Sequence, residues 1–287
     1  MANAFLEKLH PGYAQTIELA GAPIVEEKSQ FQSIKIFDSQ RNGRVLVLDD
    51  IVQLTTRDEC GYSEMLTHVP MLEHGQVREV MIVGGGDLAI AEEALKHSGV
   101  QSVFNVEIDE RVVDLSRRHL SEVNAAAFSD KRLSIQIEDA FVFLADKQNS
   151  HRFDLIIADR PDPVGPAEVL FGDNFYKRVS EALAPGGFAV FQNGVPFFQP
   201  EELTDTLRQM QRTFRYCGVY VAVVPSYIGG FMALTWVSQD AVLGDPAKWT
   251  GLETAFAAAR LKTDYYTPAI HRAAFALPAW MERLVKA

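Results

Sequence analysis

Two kinds of hydrophobic spacing divide the chain near "THVPML", residues 67–72. Before it, segments such as "QSIKIFDS" and "RVLVLDDIVQLT" alternate apolar with polar positions and are punctuated by the turn residues of "RNG" and "LDD". Period-two alternation buries one face of a strand and wets the other, so this part predicts a small antiparallel β unit. After it, the runs "EVMIVGGG", "SVFNVEID", "LSIQIEDA", "FDLIIAD", "GFAVFQNG", "VYVAVVP" and "FMALTWVS" read as strands. The first five are separated mostly by amphipathic, helix-like stretches such as "DERVVDLSRRHLSEV". Apolar strands covered by helices predict an α/β, mainly parallel, doubly wound sheet. The division falls between residues 68 and 69, giving an N-terminal β domain (1–68) and a larger α/β domain (69–287).

Composition narrows this picture without naming a function. With 287 residues, 47% of them hydrophobic, the chain can bury a sizeable core. A formal charge of −11 disfavours a nucleic-acid partner, because phosphate binding rests on clustered Lys and Arg. Two cysteines, Cys60 and Cys217, make neither a disulfide framework nor a Cys-rich metal site, and "MANAFLEKLHPGY" has no basic segment leading into an apolar one. A reducing cytoplasm is the default. No apolar run reaches the roughly 18 residues of a membrane span, so no membrane partner is expected.

Ligands of a doubly wound sheet collect at the carboxyl ends of its strands, and here those ends are acidic. The first strand runs into Gly84-Gly85-Gly86-Asp87-Leu88-Ala89, which fits the G-x-G-x-x-A turn that lets a backbone pass close to a nucleotide. A tight turn without a ligand fits those residues as well. The second strand ends in Glu107, about twenty residues on, where a carboxylate can accept both hydroxyls of a ribose. The third ends in Glu138-Asp139; Asp139 suits the exocyclic amine of an adenine, or the N-cap of "AFVFLA". The fourth, "IIADRPDPVGP", carries Asp159 and Asp162. An NAD enzyme fits part of this pattern. A carboxylate directly after the glycines, however, repels a pyrophosphate and attracts a sulfonium or an ammonium, which points to S-adenosyl chemistry.

The blocks "VLVLDDIVQLTTRDECGYSEMLTHVPM", "IVGGGDLAIAEEALKH", "VEIDERVVD", "ADRPDPVGPAEVLFGDNFY", "FQNGVPFF", "PSYIGG" and "YYTPAIHRAAFALP" resemble, in order, those of the spermidine synthase family of polyamine aminopropyltransferases. The resemblance spans nearly the whole chain. It implies a Rossmann-like methyltransferase fold with a seven-stranded, mostly parallel sheet, behind a small N-terminal antiparallel β domain. It further implies a homodimer and transfer of an aminopropyl group from decarboxylated S-adenosylmethionine, a co-substrate, to putrescine, releasing methylthioadenosine. No prosthetic group and no metal are expected. Carried over by motif, Asp159 is the general base. Asp87 holds the aminopropyl ammonium, Glu107 the ribose and Asp139 the adenine amine. Gln32, Gly84, Gly86 and Ala140 complete the nucleoside side. Tyr62, Ser63, Asp162, Gln192 and Tyr227 line the substrate side, although Tyr62 and Tyr227 also suit plain core packing.

Several positions depart from the family's usual pattern. Leu88-Ala89 follow G-G-G-D where Gly-Gly or Gly-Ala is general. Ser63 stands for His or Gln, Cys60 for Phe and Ala140 for Gly, and Arg160-Pro161 replace two small residues. Two orientations of Arg160 are open. Turned outward or paired, it leaves a diamine site intact; facing the cleft, it opposes a dicationic acceptor or welcomes a carboxylate. Other readings of the same scaffold are an S-adenosylmethionine enzyme with another donor or acceptor, including a methyltransferase, and a catalytically silent ligand-binding relative. His68 and His271 fit packing or capping.

Overall fold

A computed structural model describes residues 3–160 and 172–286. At the N-terminus β1 (Ala4–Glu7) and β2 (Gln15–Glu18) form a hairpin. They are followed by a four-stranded antiparallel sheet of β3 (Val25–Lys28), β4 (Ser33–Ser39), β5 (Gly43–Leu48) and β6 (Ile51–Thr55), in that order. The alternation read from the sequence sorts its side chains onto two faces. Phe37, Val45, Val47 and Val52 pack beneath Phe5 and Ile17 of the hairpin. Ile34, Ile36, Leu46 and Leu54 pack against Ala89, Val112, Leu115 and Leu120 of the following domain. The "LDD" turn joins Leu48 to its partner Ile51, with Asp49 and Asp50 at φ 46° and 61°. Two consecutive left-handed residues are what a tight two-residue hairpin requires.

The rest of the chain winds around a seven-stranded sheet. Helix α1 (Cys60–His74) leads into β7 (Glu79–Gly84), then α2 (Ala89–Leu95), β8 (Ser102–Glu107), α3 (Glu110–His119), a single turn α4 (Ser121–Asn124) and β9 (Leu133–Ile137). Helix α5 (Ala140–Ala145) precedes β10 (Phe153–Asp159), α6 (Asp173–Ala182), β11 (Leu183–Gln192), α7 (Pro200–Thr213) and the strands β12 (Tyr216–Val223) and β13 (Phe231–Ser238). Helices α8 (Leu252–Ala259), α9 (Pro268–Ala274) and α10 (Ala279–Val285) close the chain. The order β12-β13-β11-β10-β7-β8-β9 is parallel from β11 to β9 and antiparallel at β13 and β12. All seven predicted strands form, in the expected mostly parallel sheet. Strand succession runs outward from β7 through β8 to β9 and, on the other side, through β10 to β11, so the crevice beyond β7 and β10 is the topological switch point. One face of the sheet buries Met65, Leu66 and Val69 of α1 with Ile90 and Ala94 of α2. The other buries Phe175, Tyr176 and Val179 of α6 with Met210 of α7. No helix among the described residues is long and apolar enough to cross a membrane.

Candidate active site

The glycine turn after β7 is held against its neighbours too closely for side chains. Gly84 and Gly85 have φ of 75° and 64°, a region glycine enters freely. A Cβ on Gly84 would stand 2.1 Å from the Asp159 carbonyl oxygen, and one on Gly86 would stand 3.0 Å from Glu107 Oε2. The Asn105 side chain donates to the Gly84 carbonyl at 2.9 Å and braces the turn from β8. Leu88 follows with φ 68°, a costly value for a branched side chain. Its side chain is fully buried in the core under α1 rather than lining the cleft, so the apolar packing offsets the strain.

Each nucleoside-side carboxylate is aimed by a short-range bond to the backbone. Asp87 Oδ1 accepts from the Ala89 amide, Glu107 Oε1 from the Asp109 amide and Asp139 Oδ1 from the Phe141 amide, each at 2.8 Å. Asp139 is thus an N-cap of α5, beside buried Ala140. Gln32 donates to Asp109 Oδ2 at 3.0 Å, which places it one residue pair behind Glu107. Ser29 shares that acceptor at 2.6 Å. Desolvation raises the Asp87 carboxyl above the ordinary carboxylate range. Desolvation, with Asp109 and Asp87 adding like charge, lifts Glu107 to about 7.

The opposite wall is assembled from distant segments. Asp159 ends β10 and accepts from the Tyr62 hydroxyl at 2.5 Å. Desolvation and the Asp87 charge push its carboxyl up to about 7, against the Tyr62 hydrogen bond, which pulls it down. The Tyr62 ring meets Tyr227 edge-on at 5.7 Å, and Tyr227 donates to the Gln53 carbonyl at 2.5 Å. Ser226 beside it is fixed by Asp58 and by Gln15, whose amide also reaches Glu7. Gln192 ends β11 with Oε1 buried and without a hydrogen-bond partner among the described residues. Ser63 points its hydroxyl at Glu59 Oε2, 2.5 Å away, rather than outward. Asp162 lies outside the described residues.

The residues brought together at the crevice are Gly84, Gly86, Asp87, Glu107, Tyr62, Asp159 and Tyr227. Arg160 is turned away from them. It is 2% exposed, donates from Nη2 to the Tyr176 hydroxyl at 3.2 Å, and sits 5.2 Å from the Phe191 ring centroid. Both aromatic rings belong to the core on the α6 face, whereas Tyr62 belongs to the α1 face. Asp159 ends β10 on the cleft side, and Arg160, the residue just beyond that strand, turns to the other. The cleft-facing orientation of Arg160 considered from the sequence is therefore not the one adopted. His68 and His271 are buried in polar networks with His97 and with Tyr266 and Glu73. The sequence reading passed over Glu59, Asn105 and Asp58. Glu59 was accessible to it, lying three and four residues before Tyr62 and Ser63 at the start of one helix; Asp58 was not, because its partner Ser226 is 168 residues away.

Comparison with known proteins bears on this geometry. A family model described as "Spermine/spermidine synthase domain" matches residues 59–245, and one described as "Spermidine synthase tetramerisation domain" matches residues 5–56. The polyamine aminopropyltransferase of Ruegeria sp. is 47% identical over 97% of this chain and 96% of its own. That of Escherichia coli K12 is 41% identical over 96% of this chain and 94% of its own. Among solved structures, spermidine synthase from Thermotoga maritima superposes with a TM-score of 0.91 at 27% identity, covering 99% of this chain and 94% of its own. A spermidine synthase in complex with the transition-state analogue AdoDATO superposes with a TM-score of 0.92, also at 27% identity, over 99% and 95%.

Proposed function

The chain belongs to the spermine/spermidine synthase family, and from that membership we propose which of its residues carry aminopropyl transfer. It is a transferase that moves the aminopropyl group of decarboxylated S-adenosylmethionine, its co-substrate, to a small amine. Putrescine is the acceptor we assign, giving spermidine and methylthioadenosine.

The observation that carries the residue assignment is Asp159: a carboxyl raised to about 7 at the switch point, oriented by Tyr62. An alkylammonium cannot attack until it loses a proton, and a base works best with a pKa near the working pH. Asp159 takes that proton. The freed nitrogen lone pair attacks the propyl carbon bonded to sulfur, the C–S pair returns to sulfur, and the sulfonium leaves as a neutral thioether. Asp87 holds the donor's ammonium, Glu107 accepts from the ribose hydroxyls and Asp139 from the adenine amine. Gln32, Gly84, Gly86 and Ala140 shape the nucleoside side. Tyr62, Ser63, Asp162, Gln192 and Tyr227 serve the substrate side. Raised carboxyls suit this reaction, since every cation that binds restores favourable charge to them.

We also assign residues 1–68 and 69–287 to separate domains, a homodimer as the assembly, and the cytoplasm as the compartment. The two cysteines are unbridged, which fits a reducing compartment. Product analysis by mass spectrometry tests the reaction. Decarboxylated and intact S-adenosylmethionine are offered separately against a panel of amines. Spermidine and methylthioadenosine from the decarboxylated donor with putrescine are expected; a methylated product, or none, would overturn the assignment. Light scattering of the purified protein tests the dimer against a tetramer.

A further inference from the structure

Glu59 has no part in the assignment above, yet the fold brings it to the donor's end of the cleft. Helix α1 starts at the carboxyl edge of the sheet, since Tyr62 in its first turn touches Asp159 at the end of β10. It finishes at the opposite edge, four residues before β7 begins. Helix α2 leaves the carboxyl end of β7 and runs the same way. The two are locked side by side further along, where His68 Nδ1 lies 2.9 Å from His97 Nε2 and His68 Nε2 lies 3.1 Å from Glu93. Glu59 is the residue that caps the start of α1, and Asp87 stands two residues before α2 begins, so both carboxylates sit where the helices open on the crevice. Glu59, Tyr62 and Ser63 share one helical face by their i, i+3, i+4 spacing.

Ser63 fixes the carboxylate. Its hydroxyl lies 2.5 Å from Glu59 Oε2 and 3.0 Å from the Glu59 carbonyl oxygen, and the serine is 1% exposed. A residue this small at position 63 leaves the space above the first turn to Glu59 itself.

We propose that Glu59 is a donor-selecting residue: together with Asp87 it holds the terminal ammonium of the aminopropyl group and repels the carboxylate that intact S-adenosylmethionine carries on the same carbon. This rests on the aminopropyl-transfer reading and adds the means by which the site chooses between two donors. Burial followed by the charges of Glu93, Asp87 and Glu64 lifts the Glu59 carboxyl to about 7, and an arriving ammonium restores its charge. One carboxylate neutralises the ammonium, so a second is what turns indifference to the donor's own carboxylate into rejection.

The test uses the full-length protein and calorimetric titration with three ligands: decarboxylated S-adenosylmethionine, the intact compound, and methylthioadenosine, which has no ammonium. Glu59→Gln is isosteric and can still bond Ser63. It is expected to weaken the decarboxylated donor about ten-fold, the effect of removing one close countercharge. Methylthioadenosine should bind within two-fold of wild type, and the preference over the intact donor should shrink. Glu59→Asp, which keeps the charge, should retain more of the preference than Gln. Unchanged selectivity in Glu59→Gln, or an equal loss for all three ligands, overturns the role. A wild type that makes no aminopropyl product defeats the functional reading instead, and the product assay reads that separately.

Discussion

The two walls of the cleft are built in opposite ways. On the nucleoside wall, Asp87, Glu107 and Asp139 each bond an amide two residues ahead, at the end of successive strands β7, β8 and β9. On the acceptor wall the tyrosines and the loop that carries Tyr227 depend on distant partners, although Ser63 bonds Glu59 within its own helix turn. Tyr62 reaches Asp159 97 residues away, Tyr227 reaches Gln53 174 away, and Gln15 reaches Ser226 211 away. The three carboxylates of the first wall are a property of local turns and survive as long as each strand ends correctly; Gln32 brings in the N-terminal sheet, through Asp109 77 residues away. The second exists only when the N-terminal β unit, α1 and the loop before β13 are docked together. Substitutions should therefore act differently on the two walls, through affinity for the nucleoside on one and through turnover and its pH dependence on the other.

The largest effect is expected at Asp159. Asp159→Asn removes the base and should lower turnover by about 10²-fold or more. Methylthioadenosine affinity, a property of the other wall, should hardly move. Calorimetry beside steady-state kinetics checks both, and equal losses in the two measurements would mean the walls are not independent.

Glu107→Gln inverts that pattern. Ribose hydroxyls donate to the charged form, so affinity for methylthioadenosine should fall by about ten-fold when a charge-assisted acceptor becomes neutral. In the wild type the empty site holds Glu107 near 7, and the ligand favours its ionised form. Affinity should accordingly strengthen as pH rises from about 6 to 8, and the Gln variant should lose that slope. A wild-type affinity independent of pH would show that Glu107 does not change charge on binding.

Tyr62→Phe gives a smaller and more diagnostic change. The hydroxyl hydrogen-bonds Asp159 and lowers its pKa, so its removal leaves desolvation and Asp87 to raise that pKa further. The base must be ionised to act. The acid limb of kcat/KM should therefore move to higher pH, with a loss of roughly three-fold near pH 7 that narrows as pH rises. A loss equal at all pH values would assign Tyr62 to packing instead.

How much of this was legible in the sequence follows the same division. The strands and the β unit announced themselves through period and apolar runs, because sheet burial imposes both. Asp87, Glu107 and Asp139 were legible because each stands at, or within three residues of, the carboxyl end of its strand, and strand ends are where this fold collects ligands. The bonds that aim Tyr62 and Tyr227 were not, since nothing near position 227 records the Gln53 carbonyl. Glu59 was within reach through its spacing to Tyr62 and Ser63, but a carboxylate opening a helix is so common that only its bond to Ser63 and the neighbouring Asp87 give it meaning. Arg160 shows the converse case: chain adjacency to Asp159 left a cleft-facing orientation open, and only the packing of its side chain on Tyr176 and Phe191 decides for the other.

Arg160 supplies the smallest expected effect on catalysis and the sharpest check on that last point. Facing the cleft, a guanidinium would oppose both ammonium groups of putrescine. Arg160→Ser would then lower the acceptor KM several-fold, most at low salt where screening is weakest. Its observed place is on the α6 face, bonded to the Tyr176 hydroxyl and lying against Phe191. From there its field reaches the acceptor across the backbone of β10 and through the paired core, and the acceptor KM should change by no more than about two-fold at either salt concentration. The substitution should register in stability instead. A serine leaves a void where the guanidinium fills the space between two rings, and it strands the Tyr176 hydroxyl, which together should cost about 1–3 kcal/mol in denaturant unfolding. A variant with unchanged stability and a salt-dependent fall in KM would mean that the side chain reaches the acceptor after all, and that the two faces of β10 communicate at its carboxyl end.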